Sequence, residues 1–213
     1  MMLSEQARAF LINRRPNDKQ IMFFNTHADE WDEINRNDPD KLEYIVGLID
    51  IKPYEAVLDI GTGTGVMIPF YLRRLDTGRV MALDFSERMI KVAMSKNPPS
   101  EKLAYRISDV CDLPPTASYD VAVCYSCFPH FPDPVKALGS IAGALKTGGR
   151  LMIAHSSSKE HINNVHRCGG EAISNDYLPN MKIMTELFEE QGLETIFSRD
   201  DRDYYIIIGK KVI

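Results

Sequence analysis

Two acids and three glycines are the residues of this chain best placed to do chemistry. Residues 57–65 read Val-Leu-Asp-Ile-Gly-Thr-Gly-Thr-Gly, an apolar run that carries Asp59 and opens into glycines at Gly61, Gly63 and Gly65. Glycine lets backbone turn tightly and lie close to a ligand. A helix after such a turn offers unpaired N–H groups to that ligand. Strand, glycine turn and helix together make a nucleotide-type cradle. A second apolar run, Gly78 to Leu83, ends in Asp84. A carboxylate there, roughly 20 residues past the loop, can take both hydroxyls of a ribose.

Asp59 narrows the ligand. An acid just ahead of the first glycine repels a pyrophosphate and welcomes an ammonium group, so the pair of acids suits S-adenosylmethionine better than NAD. The G-x-G-x-G spacing also lacks the usual interval to the last glycine of a dinucleotide site. Thr62 and Thr64 add hydroxyls beside the glycines. Past an apolar stretch at Leu103 to Ile107, the run Ser-Asp-Val-Cys-Asp-Leu-Pro (108–114) offers Asp109 to the exocyclic amine of adenine and Val110 to its ring. Phe85 and Met89 should pack near adenosine, and Tyr125 and Ser126 near the methionine part. The alternative for each acid is a capping or surface role, and Asp84-Phe85-Ser86 also reads as a helix start.

With these residues the chain resembles the class I S-adenosylmethionine-dependent methyltransferases, in particular their small-molecule branch. The resemblance runs from about Tyr54 to Ser156. It includes Tyr-Asp-Val-Ala-Val-Cys-Tyr-Ser-Cys-Phe-Pro-His-Phe-Pro-Asp-Pro (119–134), similar to the family's fourth strand and following loop. It also includes Ala-Leu-Lys-Thr-Gly-Gly-Arg-Leu-Met-Ile-Ala-His (144–155), similar to its turn into the fifth strand. Thr147 stands where the family usually has proline. The resemblance implies an α/β, three-layer, Rossmann-like fold: a mostly parallel seven-stranded sheet with one antiparallel edge strand. It implies S-adenosylmethionine as cofactor and S-adenosylhomocysteine as product.

The pattern along the chain agrees with alternating strand and helix. Strands are expected near 56–60, 79–84, 102–107, 120–125 and 149–155, and helices near 65–74, 86–96, 134–145 and 180–191. Leu42, Ile45, Val46 and Ile49 mark a helix over 42–51, stopped by Lys52-Pro53. Leu3, Ala7, Phe10 and Leu11 suggest a short helix within 1–15. Two late strands, near 193–198 and 203–210, flank a turn-like Asp200-Asp201 and read as an antiparallel hairpin. The whole of 1–213 is read as one domain: a helical cap (1–50), a cofactor-binding core (51–156), a lid-like insertion (157–180), and a C-terminal helix and strand pair (181–213). Phe23, Phe24, His27 and Trp31 lie in the cap and should cover the site or pack as ordinary helix residues.

At 213 residues and 44% hydrophobic, the chain is large enough for a sizeable core. The formal net charge of −5 leaves no broad basic footprint, so no nucleic-acid partner is expected. No apolar run of about 18 residues suggests a membrane span, and Met1 to Arg15 lack the apolar centre of a signal peptide. A cytoplasmic monomer or homodimer acting on a small molecule is the expectation.

Four of the five histidines fall on the expected active edge or the lid: His130, His155, His161 and His166. His155, His166 and His130 are the candidates for a catalytic base or acceptor contact, needed only if the acceptor starts protonated. With Cys168, the histidines at 155, 161 and 166 have the ligand types of a metal site, although the spacing is not a recognised one; no metal is assigned. Cys124 and Cys127 form a C-x-x-C that ends a buried strand, where inert packing outweighs redox or zinc chemistry. The leading reading is methyl transfer to O, N, S or C of a small acceptor. Its rivals are a non-catalytic S-adenosylmethionine-binding regulator, a metal-assisted methyltransferase and an NAD-dependent oxidoreductase.

Overall fold

The computed structural model describes residues 3–12 and 18–212. Four helices come first: α1 (Glu5–Ile12), α2 (Asp18–His27), α3 (Trp31–Ile34) and α4 (Pro39–Ile49). Asp38 caps α4 by accepting from the Asp40 N–H, and Pro39 takes the first-turn position where its missing N–H costs nothing. The helix therefore starts three residues before the first apolar position of the expected one. Its buried stripe is the expected set, Leu42, Ile45, Val46 and Ile49.

Strand and helix then alternate: β1 (Ala56–Ile60), α5 (Ile68–Leu72), β2 (Arg79–Asp84), α6 (Glu87–Lys96), β3 (Leu103–Ile107), β4 (Tyr119–Tyr125), α7 (Pro134–Ala144) and β5 (Leu145–His155). α8 (Lys159–Cys168), α9 (Met181–Glu190), β6 (Leu193–Asp200) and β7 (Tyr205–Lys211) complete the described chain. The seven strands form one sheet in the order β3-β2-β1-β4-β5-β7-β6. β7 alone runs against its neighbours, antiparallel to β5 and to β6. The reversed strand of the expected hairpin thus sits one place in from the edge, and β6 is the edge strand. The order reverses between β1 and β4, which opens a crevice at the carboxyl ends of the strands.

Side-chain alternation fills both layers. Leu58 and Ile60 of β1, Ala122 and Cys124 of β4, and Leu151 and Ile153 of β5 face α7 and α9. Val57, Val121, Val123, Met152 and Ala154 face α4 and α5. Buried on both sides, β1 shows no exposed position, as expected for a central parallel strand. Cys124 and Cys127 are both buried and unbridged within this packing.

Candidate cofactor and acceptor site

The two acids stand at neighbouring strand tips. Asp59, next to last in β1, is 1% exposed, and Asp84 ends β2 at 7%. Each carboxylate is held by donors. Asp59 Oδ2 accepts from the Thr62 hydroxyl at 2.6 Å, and Oδ1 accepts from the Tyr71 hydroxyl at 3.1 Å. Asp84 Oδ2 accepts from the Gly63 N–H at 2.9 Å and Oδ1 from the Ser86 N–H at 2.8 Å. Burial pushes both acids up to about 6, although these hydrogen bonds favour the charged forms. Helix capping falls to Ser86, whose Oγ accepts from the Met89 N–H. Asp84 is therefore not the cap of α6.

The glycines between them differ in what they permit. Gly61 has φ +63°, and a Cβ built there would lie 2.6 Å from Cys127 Cβ. Gly63 has φ +54°, and a Cβ there would meet nothing within 4 Å. The first glycine is required by close packing of β1 against the loop after β4. The second faces open space, as a backbone against which a ligand lies should. Gly65, at φ +80°, still lies in the turn, so α5 begins at Ile68 rather than at residue 65.

A cleft open to solvent, about 1000 Å³ in all, runs past this loop. Asp59, Gly61, Thr62, Gly63, Asp84, Phe85, Met89, Asp109, Val110 and Tyr125, all expected at the cofactor, line it; Gly65 does not. At its far end Asp109 accepts from the Cys111 N–H at 2.8 Å, beside the buried Val110. At the β4 end Ser126 also lines the cleft and holds φ +54°, rare for a residue with a Cβ. The Tyr125 hydroxyl contacts both Asn37 and the Ser156 hydroxyl at 2.8 Å. The residues fit S-adenosylmethionine: an acid for an amine, an acid for a diol, an apolar slot for a base, and an open glycine backbone between them.

The N-terminal segment covers the cleft. Phe24, Trp31, Asn35 and Asn37 line it, and Phe24 meets Trp31 and Phe85 edge to face. Polar ties hold the cover down. The Thr64 hydroxyl donates to Asp32 at 2.5 Å, and Lys96 pairs with the same carboxylate. Asn25 Oδ1 accepts from the Ser86 hydroxyl at 2.7 Å. Thr62 and Thr64 thus spend their hydroxyls on Asp59 and Asp32. Tyr71, Asp32 and Asn37 carry no motif of their own, because each acts through a partner distant in sequence.

The histidines separate. His130 lines the cleft at the end of a 3₁₀ turn (Phe128–His130) after β4. His155 does not. It is 1% exposed, its ring packs 6.1 Å from that of Tyr205, and both ring nitrogens lack a hydrogen-bond partner. Burial depresses its pKa to about 3. As a candidate to touch an acceptor, His155 is corrected: β7, paired with β5 at His155↔Tyr205, walls it in. His166, buried on α8, packs tilted behind His130 at 4.8 Å between ring centres rather than in the cleft, and burial with His130 nearby depresses it to about 4. His161 and Cys168 are exposed. Among the described residues no group of three or more His, Cys, Asp or Glu is arranged to hold a metal ion.

Residues 58–153 match the family model of a methyltransferase domain. The core thus resembles a methyltransferase domain. The match covers the strand tips and loops that carry the cleft. The malonyl-[acyl-carrier protein] O-methyltransferase 1 of Ilyobacter polytropus is 25% identical over 63% of this chain and 49% of its own length. The demethylmenaquinone methyltransferase of Chlamydia pneumoniae is 27% identical over 74% of each. A SAM-dependent methyltransferase structure from Aquifex aeolicus superposes with a TM-score of 0.69 at 20% identity, covering 88% of this chain and 98% of that one. That likeness is one of fold. The chain spans about half the length of several curated relatives that it matches. In the described residues no helix is long and apolar enough to cross a membrane.

Proposed function

We propose that the protein moves a methyl group from S-adenosylmethionine to a small-molecule acceptor, in the cytoplasm. One observation carries the reading: Asp59 and Asp84 line a single cleft from adjacent strands, with the open backbone of Gly63 between them. Bound S-adenosylmethionine supplies a methyl group already activated on a sulfonium, so the protein's task is alignment and exclusion of water. In this reading Asp59, fixed by Thr62 and Tyr71, takes the ammonium end. Asp84 takes the ribose, Asp109 and Val110 the adenine, and Phe85 and Met89 flank the adenosine. Gly61 and Gly65 shape the turn, and Tyr125 borders the methionine part. Residues 1–50 act as cap and 157–180 as a lid over the acceptor. Phe24 and Trp31 keep water from the reacting centre. His130, lining the cleft, is the histidine placed for acceptor contact.

Calorimetric titration with S-adenosylmethionine and S-adenosylhomocysteine tests the cofactor. The wild type should bind both, and Asp84→Ala should lose most of that affinity. No binding by the wild type, or equal binding by the variant, defeats the reading. Metabolite pools incubated with methyl-labelled cofactor and read by mass spectrometry test the acceptor class. Label found on protein or nucleic acid and absent from small molecules would replace it.

A further inference from the structure

Behind the cleft, three elements meet at one carboxylate. Asp176 follows α8 and is 8% exposed. Its Oδ2 accepts from Gln20 Nε2 of α2 at 2.8 Å and lies 2.7 Å from His130 Nδ1. Its backbone carbonyl lies 2.7 Å from His166 Nδ1. A carboxylate accepts and does not donate, so the proton in the His130 contact resides on Nδ1. The carboxylate decides the tautomer, as in any acid–imidazole pair whose other nitrogen is to serve as a base. Of the residues in this group, His130 alone lines the cleft.

We propose that Asp176 positions His130 as the proton acceptor of the reaction, and that the methyl acceptor is a molecule with an ionisable O–H, N–H or S–H group. The inference rests on the function proposed above. Among the described residues, the groups facing His130 are the Asp176 carboxylate, the His166 ring, the edge of Phe24, and, further off, Asp84 and His155. A purely structural stitch between cover and core is the competing account. It explains Gln20 and His166, but it does not require the third partner to be a ring that lines the cleft.

The step balances simply. The X–H bond of the acceptor breaks, its proton forms an N–H bond at His130 Nε2, and its electron pair stays on X, which becomes the nucleophile. Asp176 holds the imidazolium so formed, and the proton passes to water once product has left. Asp176 is a positioning residue, because it does not line the cleft. An acceptor without a removable proton, such as a dialkyl sulfide or a tertiary amine, would leave this pair without a task.

Histidine labelled with ¹⁵N and two-bond ¹H–¹⁵N spectra at pH 7.5 read the tautomer directly, with His130→Gln assigning the resonance. The expected wild-type signature is Nδ1 protonated and Nε2 bare, and Asp176→Asn should shift it toward the other tautomer. A wild-type Nε2–H tautomer, an imidazolium, or a divalent ion held at Nε2 overturns the proposal even if the variant fails to fold. So does an unchanged signature in a folded Asp176→Asn. Cofactor titration separates the two failures. A wild type that does not bind S-adenosylmethionine fails the function reading, whereas normal binding with the wrong tautomer fails this inference alone. With labelled cofactor and a panel of phenols, thiols, primary amines, dialkyl sulfides and tertiary amines, methylation should be confined to the first three. His130→Gln should lower it by about 10²-fold or more. Methylation of a sulfide or tertiary amine overturns the proposal.

Discussion

Asp84, at the tip of β2, accepts a hydrogen bond from the backbone N–H of Gly63 at 2.9 Å. The acid read as the ribose ligand also pins the glycine loop that would cradle the rest of the cofactor. One side chain thus sets the distance between two halves of the site, and their fates are joined in any titration.

Cofactor affinity should therefore fall in mild acid. Asp84 and Asp59 both sit at about 6 in the folded protein, raised by burial from 3.8. Above 6 both are carboxylates, ready for an ammonium and a diol. Below it, protons compete with the ligand, and affinity should drop about tenfold per pH unit for each acid that must be ionised. Calorimetry from pH 8 to pH 5 checks this. A flat profile would show that neither charge is used.

Alanine should act differently at two glycines. Gly61→Ala adds backbone strain at φ +63° and a collision with Cys127; the fold should lose about 2–4 kcal/mol by urea unfolding. Gly63→Ala adds strain at φ +54° without a collision, so the fold should lose about 1 kcal/mol. The methyl group would, however, stand where the cofactor lies, and the affinity loss should exceed the stability loss.

Asp32→Ala removes the hydrogen bond to Thr64 and the ion pair with Lys96. The carboxylate is half exposed, so about 0.5–1.5 kcal/mol is at stake. The loss should appear as cofactor release about three- to tenfold faster in stopped-flow experiments, with the melting temperature little changed.

His155→Leu should stabilise the protein, more so in acid. The substitution removes two buried nitrogens without partners, a gain of about 1–3 kcal/mol. In the folded wild type His155 titrates near 3, against 6.5 when unfolded. Between those values the unfolded chain binds the extra proton, so wild-type stability is full above 6.5 and is lost as pH falls toward 3. Urea unfolding at pH 8 and pH 5 should show the larger gain at pH 5.

The sheet and the cleft at its carboxyl edge were legible because their signals are local. Apolar runs ending in Asp59 and Asp84, and a glycine turn between them, specify strand tips without any knowledge of partners. β5 reached back to Leu145 because Lys146-Thr147-Gly148-Gly149 continues the strand past a register shift against β4. The polar helix α8 lies within the segment expected as a lid-like insertion, 157–180. It buries only His166, so no apolar stripe announces it, and the Ser158 cap alone was too common a signal. α2 was obscure for the opposite reason: Met22, Phe23 and Phe24 are contiguous rather than periodic. The histidines were the least legible, since reaching the active edge of a sheet and facing its cleft are separate conditions. His130 meets both and His155 only the first. Asp176 carried no motif, and its meaning arises only where α2, α8 and the loop after β4 converge.

The placement of β7 between β5 and β6 bears on how the chain is made. Ribosomal synthesis delivers β6 before the strand that connects it to the sheet, so during elongation β6 has nothing to pair with and β5 keeps a bare, hydrogen-bonding flank. Only the arrival of Tyr205–Lys211, with Ile206, Ile207 and Ile208 buried at its centre, closes both gaps at once. A ribosome that stalls or stops between Asp200 and Tyr205 leaves a nascent product with two sticky edges, a natural client for chaperones and proteases.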